Sequence, residues 1–384
     1  MSLTVLITIG RLPKALDFAR SFKAAGWRVL VAEPFKTHLT GASNCVDRSF
    51  QVPPPSKGKE AYLAALLRLI EDERVDLVLP LSEETMHVAH LSGRLPARTS
   101  LYAPPVEKLL ALHDKARFPA LAQSYGLSVP ETALIETPLA QMIADTRDFV
   151  VKPIFSCSGR AVSLHPAGTS LITIASTLTE PAVVQVQVKG KQYSTFAIAY
   201  DGKLLVNVIY QGAVMTGSVA VAFERVEVPA IQEWVETFVA RQGHSGFISF
   251  DFFVDEAGIA WAIECNPRVT SGVHFIATED LAPAILDPGR LPIRMKPKTL
   301  MQQFYPTLTE VQAAMFRGPH YWDRLKVLRT ATDVTWDARD PMPFITMPIT
   351  AFSIIAMSIR QQQTFGQVST QDISWFEGER LEEA

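Results

Sequence analysis

Cysteine is scarce in this chain: Cys45, Cys157 and Cys265 are all that its 384 residues carry. An odd number at wide spacing gives neither a disulfide framework nor a zinc cluster, and a reducing cytoplasm is the expected setting. An excess of one charge is also lacking. The chain has 36 Lys and Arg against 39 Asp and Glu, a net charge of −3 and a pI near 6.3. That balance leaves no broad basic footprint, so no nucleic-acid partner is expected. The apolar opening run, Leu3 to Ile9, is too short for a signal peptide and lacks its flanking pattern. The turn after it, Gly10-Arg11-Leu12-Pro13, has no G-x-G-x-x-G fingerprint, which argues against a nicotinamide dehydrogenase. No internal repeat is visible. One uncharged stretch, 341–359, has nineteen residues, close to the length of a membrane span. Pro341, Pro343 and Pro348 argue against a spanning helix. The expectation is an extended apolar stretch leading into a buried helix that begins near Ile349, making a core or homodimer contact, with membrane-surface contact as the lesser alternative. The acidic tail from Glu377 to Ala384 should be solvated.

What is present fits a globular enzyme of two or three domains: 48% of residues are hydrophobic and 20% charged. The first hundred residues alternate strand and helix. Leu3–Ile9 reads as a buried strand, Pro13–Ala25 as an amphipathic helix stopped at Gly26, and Trp27–Val31 as the next strand. A helix over Ala61–Glu73 and a strand over Val75–Pro80 continue the rhythm, which implies an α/β fold with a parallel sheet. Gly10, Arg11, Glu83 and Glu84 fall at strand ends, where ligands of such sheets bind. The plainer reading makes them exposed charges at helix starts.

The richest stretch runs from Asp251 to Arg268. Alternating apolar residues flank the turn signal Asp255-Glu-Ala-Gly258, so Asp251 and Glu264 fall on paired strands of a hairpin. Two carboxylates, the amide oxygen of Asn266 and the guanidinium of Arg268 are the donors and counter-charge of a magnesium–nucleotide site. A surface hairpin with acids paired to Arg268 is the alternative. Lys115 and Lys152 supply point charges suited to a polyphosphate, and Phe155–Arg160 is a small-residue loop able to cradle phosphates with its backbone. Gly, Thr and Ser density over Gln211–Ser218 suggests a mobile loop, and Ile231–Arg241 a helix ending before Gly243. His87 and His90 share helical spacing but lack a third ligand type, so surface residues are the expected reading rather than zinc ligands. Cys157 has no base that would make it a nucleophile.

Taken in order, His113-Asp-Lys115, Gly126-Leu-Ser-Val-Pro130-Glu-Thr132, Phe149-Val-Val-Lys152-Pro153, Val183 to Ser194 and D-x12-E-x-N-P-R from Asp251 resemble the ATP-grasp superfamily. Residues 1 to 275 are similar to its carbamoyl-phosphate-synthase-like branch, which includes carboxylate-amine ligases. The resemblance implies an α/β (α+β) protein with a parallel-sheet preATP-grasp domain over 1–110, a two-lobed ATP-grasp domain over 111–290 with a lid at about 117–188, and a C-terminal extension over 291–384. It implies ATP and Mg2+, with Mn2+ as a substitute. Asp251, Glu264 and Asn266 would hold the metal. Lys115, Lys152, Gln185, Gln187, Val188 and Gln192 would hold the nucleotide, and Arg268 with Lys152 would act in catalysis. Thr270–His274 would line the acceptor pocket, making His274 a candidate for acceptor contact or proton transfer. The implied reaction joins a small-molecule carboxylate to an amine through an acyl phosphate; a phosphotransferase and a nucleotide-binding protein with a decayed acceptor site are the alternatives. Val186 and Gln192 depart from the pattern, where acidic residues are usual, at a cost of about 1 kcal/mol per lost hydrogen bond.

Overall fold

The alternating runs of the first hundred residues form a five-stranded parallel sheet. Strands β1 (Thr4–Ile7), β2 (Arg28–Glu33), β3 (Arg48–Gln51), β4 (Leu77–Leu79) and β5 (Ser100–Leu101) lie in the order β3-β2-β1-β4-β5. Helices α1 (Pro13–Ala24), α2 (Lys59–Asp72) and the single turn α3 (Thr85–Val88) connect them. Pro opens α1, where its missing N–H costs nothing, and Gly26 leaves it at φ +81°. The order reverses between β1 and β4, and the crevice beyond that switch point is where open parallel sheets take ligands. Gly10 and Arg11 follow β1, and Glu83 and Glu84 follow β4. They are not exposed helix-start charges: Arg11, Glu83 and Glu84 are all buried. Arg11 pairs with Glu33 at 2.6 Å, and Glu84 accepts from the N–H groups of Leu81 and Ser82. Each charge is held by a partner, the condition on which interiors admit charge.

The structure, a computed structural model, describes residues 2–157, 159–289, 292–317, 320–361 and 365–375. Ser158 of the 155–160 loop and the tail from Glu377 lie outside the described residues. After α4 (Val106–His113) and α5 (Arg117–Ser124), a four-stranded antiparallel sheet in the order β6-β9-β7-β8 is built from β6 (Thr132–Leu134), β7 (Phe149–Pro153), β8 (Ser163–His165) and β9 (Ala182–Val186). Helices α6 (Pro138–Thr146) and α7 (Leu171–Ala175) cover it through Ile143, Phe149 and Val184. This small lobe starts later than 117, because Phe118 and Ala122 of α5 pack on Phe250 in the core of the larger lobe. That larger lobe is a seven-stranded sheet in the order β14-β13-β10-β11-β12-β15-β16. Its strands are β10 (Lys191–Tyr200), β11 (Lys203–Thr216), β12 (Val219–Val226), β13 (Gly246–Val254), β14 (Ala260–Asn266), β15 (Leu300–Gln302) and β16 (Thr332–Asp333), with α8 (Pro229–Gln242) packed on one face. The segment read as a mobile loop is therefore the β11–β12 hairpin. Gly212 pairs with Phe223 and Thr216 with Val219 in its ladder, and Gly217 at φ +59° makes the turn.

α1 joins the two sheets: Phe18 and Phe22 share one core with Val5 and Ile7 behind them and Phe196, Phe247 and Phe275 ahead. After α9 (Thr278–Leu286), β15 and β16 extend the central sheet, so the C-terminal quarter contributes strands to it. Then come α10 (Phe304–Arg317), α11 (Tyr321–Thr330), α12 (Met342–Thr350), α13 (Phe352–Gln361) and α14 (Phe365–Gln371). The apolar stretch is thus helical where an extended run was expected, and Ile349 is 70% exposed. Pro341 and Pro343 fall at the start of α12, where proline is tolerated. No helix among the described residues is long and apolar enough to cross a membrane.

The chain returns after α14 to the first sheet. Trp375 stacks on His90 with centroids 5.3 Å apart, sits 5.0 Å from His87, and is nearly fully buried. His87 and His90 therefore clasp the C-terminal segment, and His87 is buried, contrary to the surface reading. Two outcomes follow from this packing. Trp375→Ala removes a filled aromatic site and should lower unfolding free energy by about 3–5 kcal/mol in urea titration. His244, buried on the far side, is pushed down to about 4, chiefly by burial and then by Lys108. The unfolded chain binds its proton first, so stability is lost as pH falls from about 6.5 to 4. His244→Asn should flatten that acid-side slope by about 1.4 kcal/mol per pH unit, read from denaturation at successive pH values.

Candidate active site

Strand pairing places the carboxylates. Register in the β13–β14 ladder sets Asp251 directly opposite Glu264, so two acids face each other across the sheet, both lining one cavity. Asn266, two residues further along β14, donates from its amide nitrogen to Asp251 at 3.0 Å and to Glu264 at 3.4 Å, while its oxygen accepts from Arg268 at 3.1 Å. Ser194 Oγ on β10 donates to the second oxygen of Asp251. Burial and then the charge of Glu264 drive the Asp251 carboxyl upward. Burial would raise Glu264 as well, but Lys115 and Lys152 outweigh it and hold this carboxyl low. The two acids titrate as a pair.

The cations come from the other lobe and from the segment before it. Lys115 lies in the link between α4 and α5. Its Nζ donates to the Ser156 carbonyl at 2.7 Å and stands 3.6 Å from Glu264. Lys152 on β7 donates to Gln185 Oε1 at 2.8 Å, and burial pushes its pKa down to about 8, with Glu264 opposing and Lys115 adding to the shift. Gln185 is in turn tied to Thr132 Oγ1 at 3.0 Å. Its side chain therefore aims Lys152, a role the sequence pattern did not assign. Arg268 reaches back to the first sheet and pairs with Glu83 at 2.6 Å; His113 stands 3.8 Å from the same carboxylate. Neither contact is aligned as a hydrogen bond, so charge alone compensates the burial of Glu83. Lys14 of α1, also missed in the sequence, donates to the Val269 carbonyl at 2.7 Å and lines the same cavity.

The cavity, about 1470 Å³, runs between the two lobes and on beneath the C-terminal helices. Its nucleotide end includes Lys152, Gln185, Gln187, Val188 and Gln192, so the structure brings the proposed adenine and ribose contacts to one wall. The Gln187 N–H is spent on the Asp148 carbonyl at 2.9 Å, which leaves its own carbonyl, with the Val188 N–H, for a planar base edge. Gly159 of the 155–160 loop has φ +67°, and a Cβ there would lie 2.7 Å from Ser218 Oγ at the β11–β12 turn, so loop and hairpin approach as closely as glycine permits. His274 lies in the short helical turn Ser271–Phe275, buried in the cavity wall, with Nδ1 2.6 Å from Asp17. Cys157 packs against Ser374 at 3.1 Å and burial raises its thiol pKa, so it is no nucleophile. The donor set fits a hard divalent cation: two facing carboxylates, a third oxygen from Asn266 once its amide turns over, and a rise at Asp251 that a cation would relieve.

Residues 113–272 match the family model described as the ATP-grasp domain. Among solved structures, the chain is similar to N5-carboxyaminoimidazole synthetase of Staphylococcus aureus (TM-score 0.64, 15% identity, 82% of this chain and 86% of that one). It is also similar to the biotin carboxylase domain of Hydrogenobacter thermophilus 2-oxoglutarate carboxylase, solved with MgADP, ADP and bicarbonate (TM-score 0.62, 15% identity, 77% of this chain and 73% of that one). An L-amino acid ligase from Bacillus licheniformis has a TM-score of 0.59 at 17% identity, covering 74% of each chain. At such identities the likeness is one of fold. No curated protein sequence matches the chain.

The Arg268–Glu83 pair makes a stability prediction. Arg268→Ala strands a buried carboxylate and should cost about 3–5 kcal/mol in urea unfolding, and adding Glu83→Gln should recover a large part of that loss.

Proposed function

We propose that this chain, whose residues 113–272 are an ATP-grasp domain, is an ADP-forming ligase that joins a small-molecule carboxylate to an amine through an acyl phosphate. The observation that carries the reading is the opposition of Asp251 and Glu264 beside Lys115, Lys152 and Arg268 at one end of a cavity with room for a second substrate. The base would rest on the Gln187 carbonyl and Val188 N–H, the ribose on Gln192, and the phosphates on Lys115, Lys152 and the 155–160 loop. Asp251, Glu264 and Asn266 would hold Mg2+, which when bound neutralises phosphate charge. One substrate carboxylate oxygen attacks the γ-phosphorus and the bond to the β-phosphate oxygen breaks, releasing ADP. The amine nitrogen then attacks the acyl carbon and the bond to phosphate breaks, releasing inorganic phosphate. Lys152 and Arg268 stabilise the moving negative charge, and closure of the small lobe excludes water from the acyl phosphate. His274, with Nδ1–H turned to Asp17, presents Nε2 as the acceptor of the amine proton.

A cytoplasmic setting is part of this proposal, and the free thiols of Cys45, Cys157 and Cys265 are compatible with it. The test is label transfer. With a pool of amino acids carrying oxygen-18 carboxylates and Mg-ATP, the label should appear in released inorganic phosphate as ADP forms. A stable phosphoester with no labelled phosphate would favour the phosphotransferase, and no ADP from any acceptor would favour a decayed site. Glu264→Gln should lower turnover at least about a thousandfold, the scale of losing about 4 kcal/mol of transition-state stabilisation, whereas Gln192→Ala should cost about tenfold or less.

A further inference from the structure

The cavity is larger than a nucleotide needs. Small-molecule sites are typically about 300–1,000 Å³, against 1470 Å³ here, and the lining extends from the carboxylate pair to the C-terminal helices. That far end is roofed by residues outside the matched domain: Leu308 of α10, Met347 of α12, and Ile354 and Ile355 of α13, facing Leu12 and Val221. Met347 and Ile354 are buried while their helix neighbours Ile345, Ile349 and Phe352 are exposed, so this short helical pair turns one apolar face into the cavity. Among the described residues, the one carboxylate lining that end is Glu310, already satisfied by Thr216 Oγ1 at 2.9 Å and Arg324 at 3.1 Å. Two basic side chains stand at the junction instead: Lys14 at the first turn of α1, which burial and then the charge of Arg268 push down to about 7, and Arg268, which is beside the carboxylate pair and also paired with Glu83. α14 closes the chamber over the phosphate loop, with Thr370 Oγ1 3.5 Å from Cys157 Sγ.

We propose that the chamber beneath α10, α12 and α13 receives the apolar side chain or tail of the carboxylate substrate, whose carboxylate is held at Arg268 and Lys14. This rests on the ligase reading and names its substrate class: a monocarboxylate with several carbons of uncharged, apolar tail. A charged tail would find no free counter-ion and would be desolvated among Leu, Met and Ile side chains. Each methylene seated there gains the ordinary transfer free energy, about fourfold in affinity.

The experiment uses the full chain with Mg-ATP, hydroxylamine as capturing amine, and acetate, butyrate, hexanoate and octanoate as acceptors, reading ADP and hydroxamate. The expected kcat/KM rises by about fourfold per methylene until the chamber is filled. Ile354→Thr and Met347→Thr should each lower the octanoate-to-acetate ratio by about tenfold, with the thermal shift by Mg-ATP retained as the check on folding. A rate independent of chain length, or favouring succinate over hexanoate, would overturn the chamber and leave the ligase reading standing. Calorimetry without ATP separates the converse: octanoate binding that Ile354→Thr abolishes supports the chamber even where no hydroxamate forms, and that second result would sink the ligase reading alone.

Discussion

Glu264 must stay ionised in the half-buried wall of the cavity, with its side chain 24% exposed, and much of the molecule is arranged around that requirement. A buried carboxylate is costly unless compensated, and Glu264 is compensated by Lys115 at 3.6 Å and by Lys152. Asp251, opposite it in the ladder, is left with the surplus charge, and its pKa rises. Arg268 is shared: it pairs with Glu83 at 2.6 Å, and its charge also opposes the rise at Asp251. Facing acids gain nothing as packing. Placed side by side on two paired strands, they are the pair proposed above to take a cation.

Four separated segments meet to make that balance. Glu83 follows β4, Lys115 links α4 to α5, Lys152 rides on the small lobe, and Glu264, Asn266 and Arg268 leave β14. The C-terminal segment locks the assembly. Arg11 pairs with both Glu33 and Asp372, Ser374 touches Cys157 beside the phosphate loop, and Trp375 is gripped by His87 and His90. A stretch outside the matched domain thus ties the switch point of the first sheet to the loop that would hold phosphates. Motion of the small lobe would be felt at both ends.

Local pattern was enough for the first sheet and for the Asp251–Glu264 hairpin, because period-two alternation and a turn at Gly258 determine which side chains face each other. Spacing also brought Lys152, Gln187, Val188 and Gln192 to one cavity, with Lys115 3.6 Å from Glu264 in its wall. What escaped was everything set by contacts distant in sequence. Arg11, Glu83 and Glu84 look like exposed helix starts until Glu33, Arg268 and the Leu81 and Ser82 amides are seen beside them. His87 and His90 look superficial until Trp375 returns from the far end of the chain. Gln185, read as a nucleotide contact, lines the cavity and also accepts from Lys152, a second task that the pattern did not show. The β11–β12 hairpin hid behind its glycines, and the helices at 342–361 behind their prolines, since composition alone does not distinguish a loop from a paired strand or an N-terminal turn.

The most direct measurement is a calorimetric titration of the full chain with ATP, with and without magnesium, repeated on Glu264→Gln. If the Asp251–Glu264 pair is a cation site joined to a nucleotide site, ATP binds the wild-type protein much more tightly with magnesium present, and the variant loses that dependence while binding free ATP at least as well. Equal affinity with and without magnesium in both proteins would contradict the account.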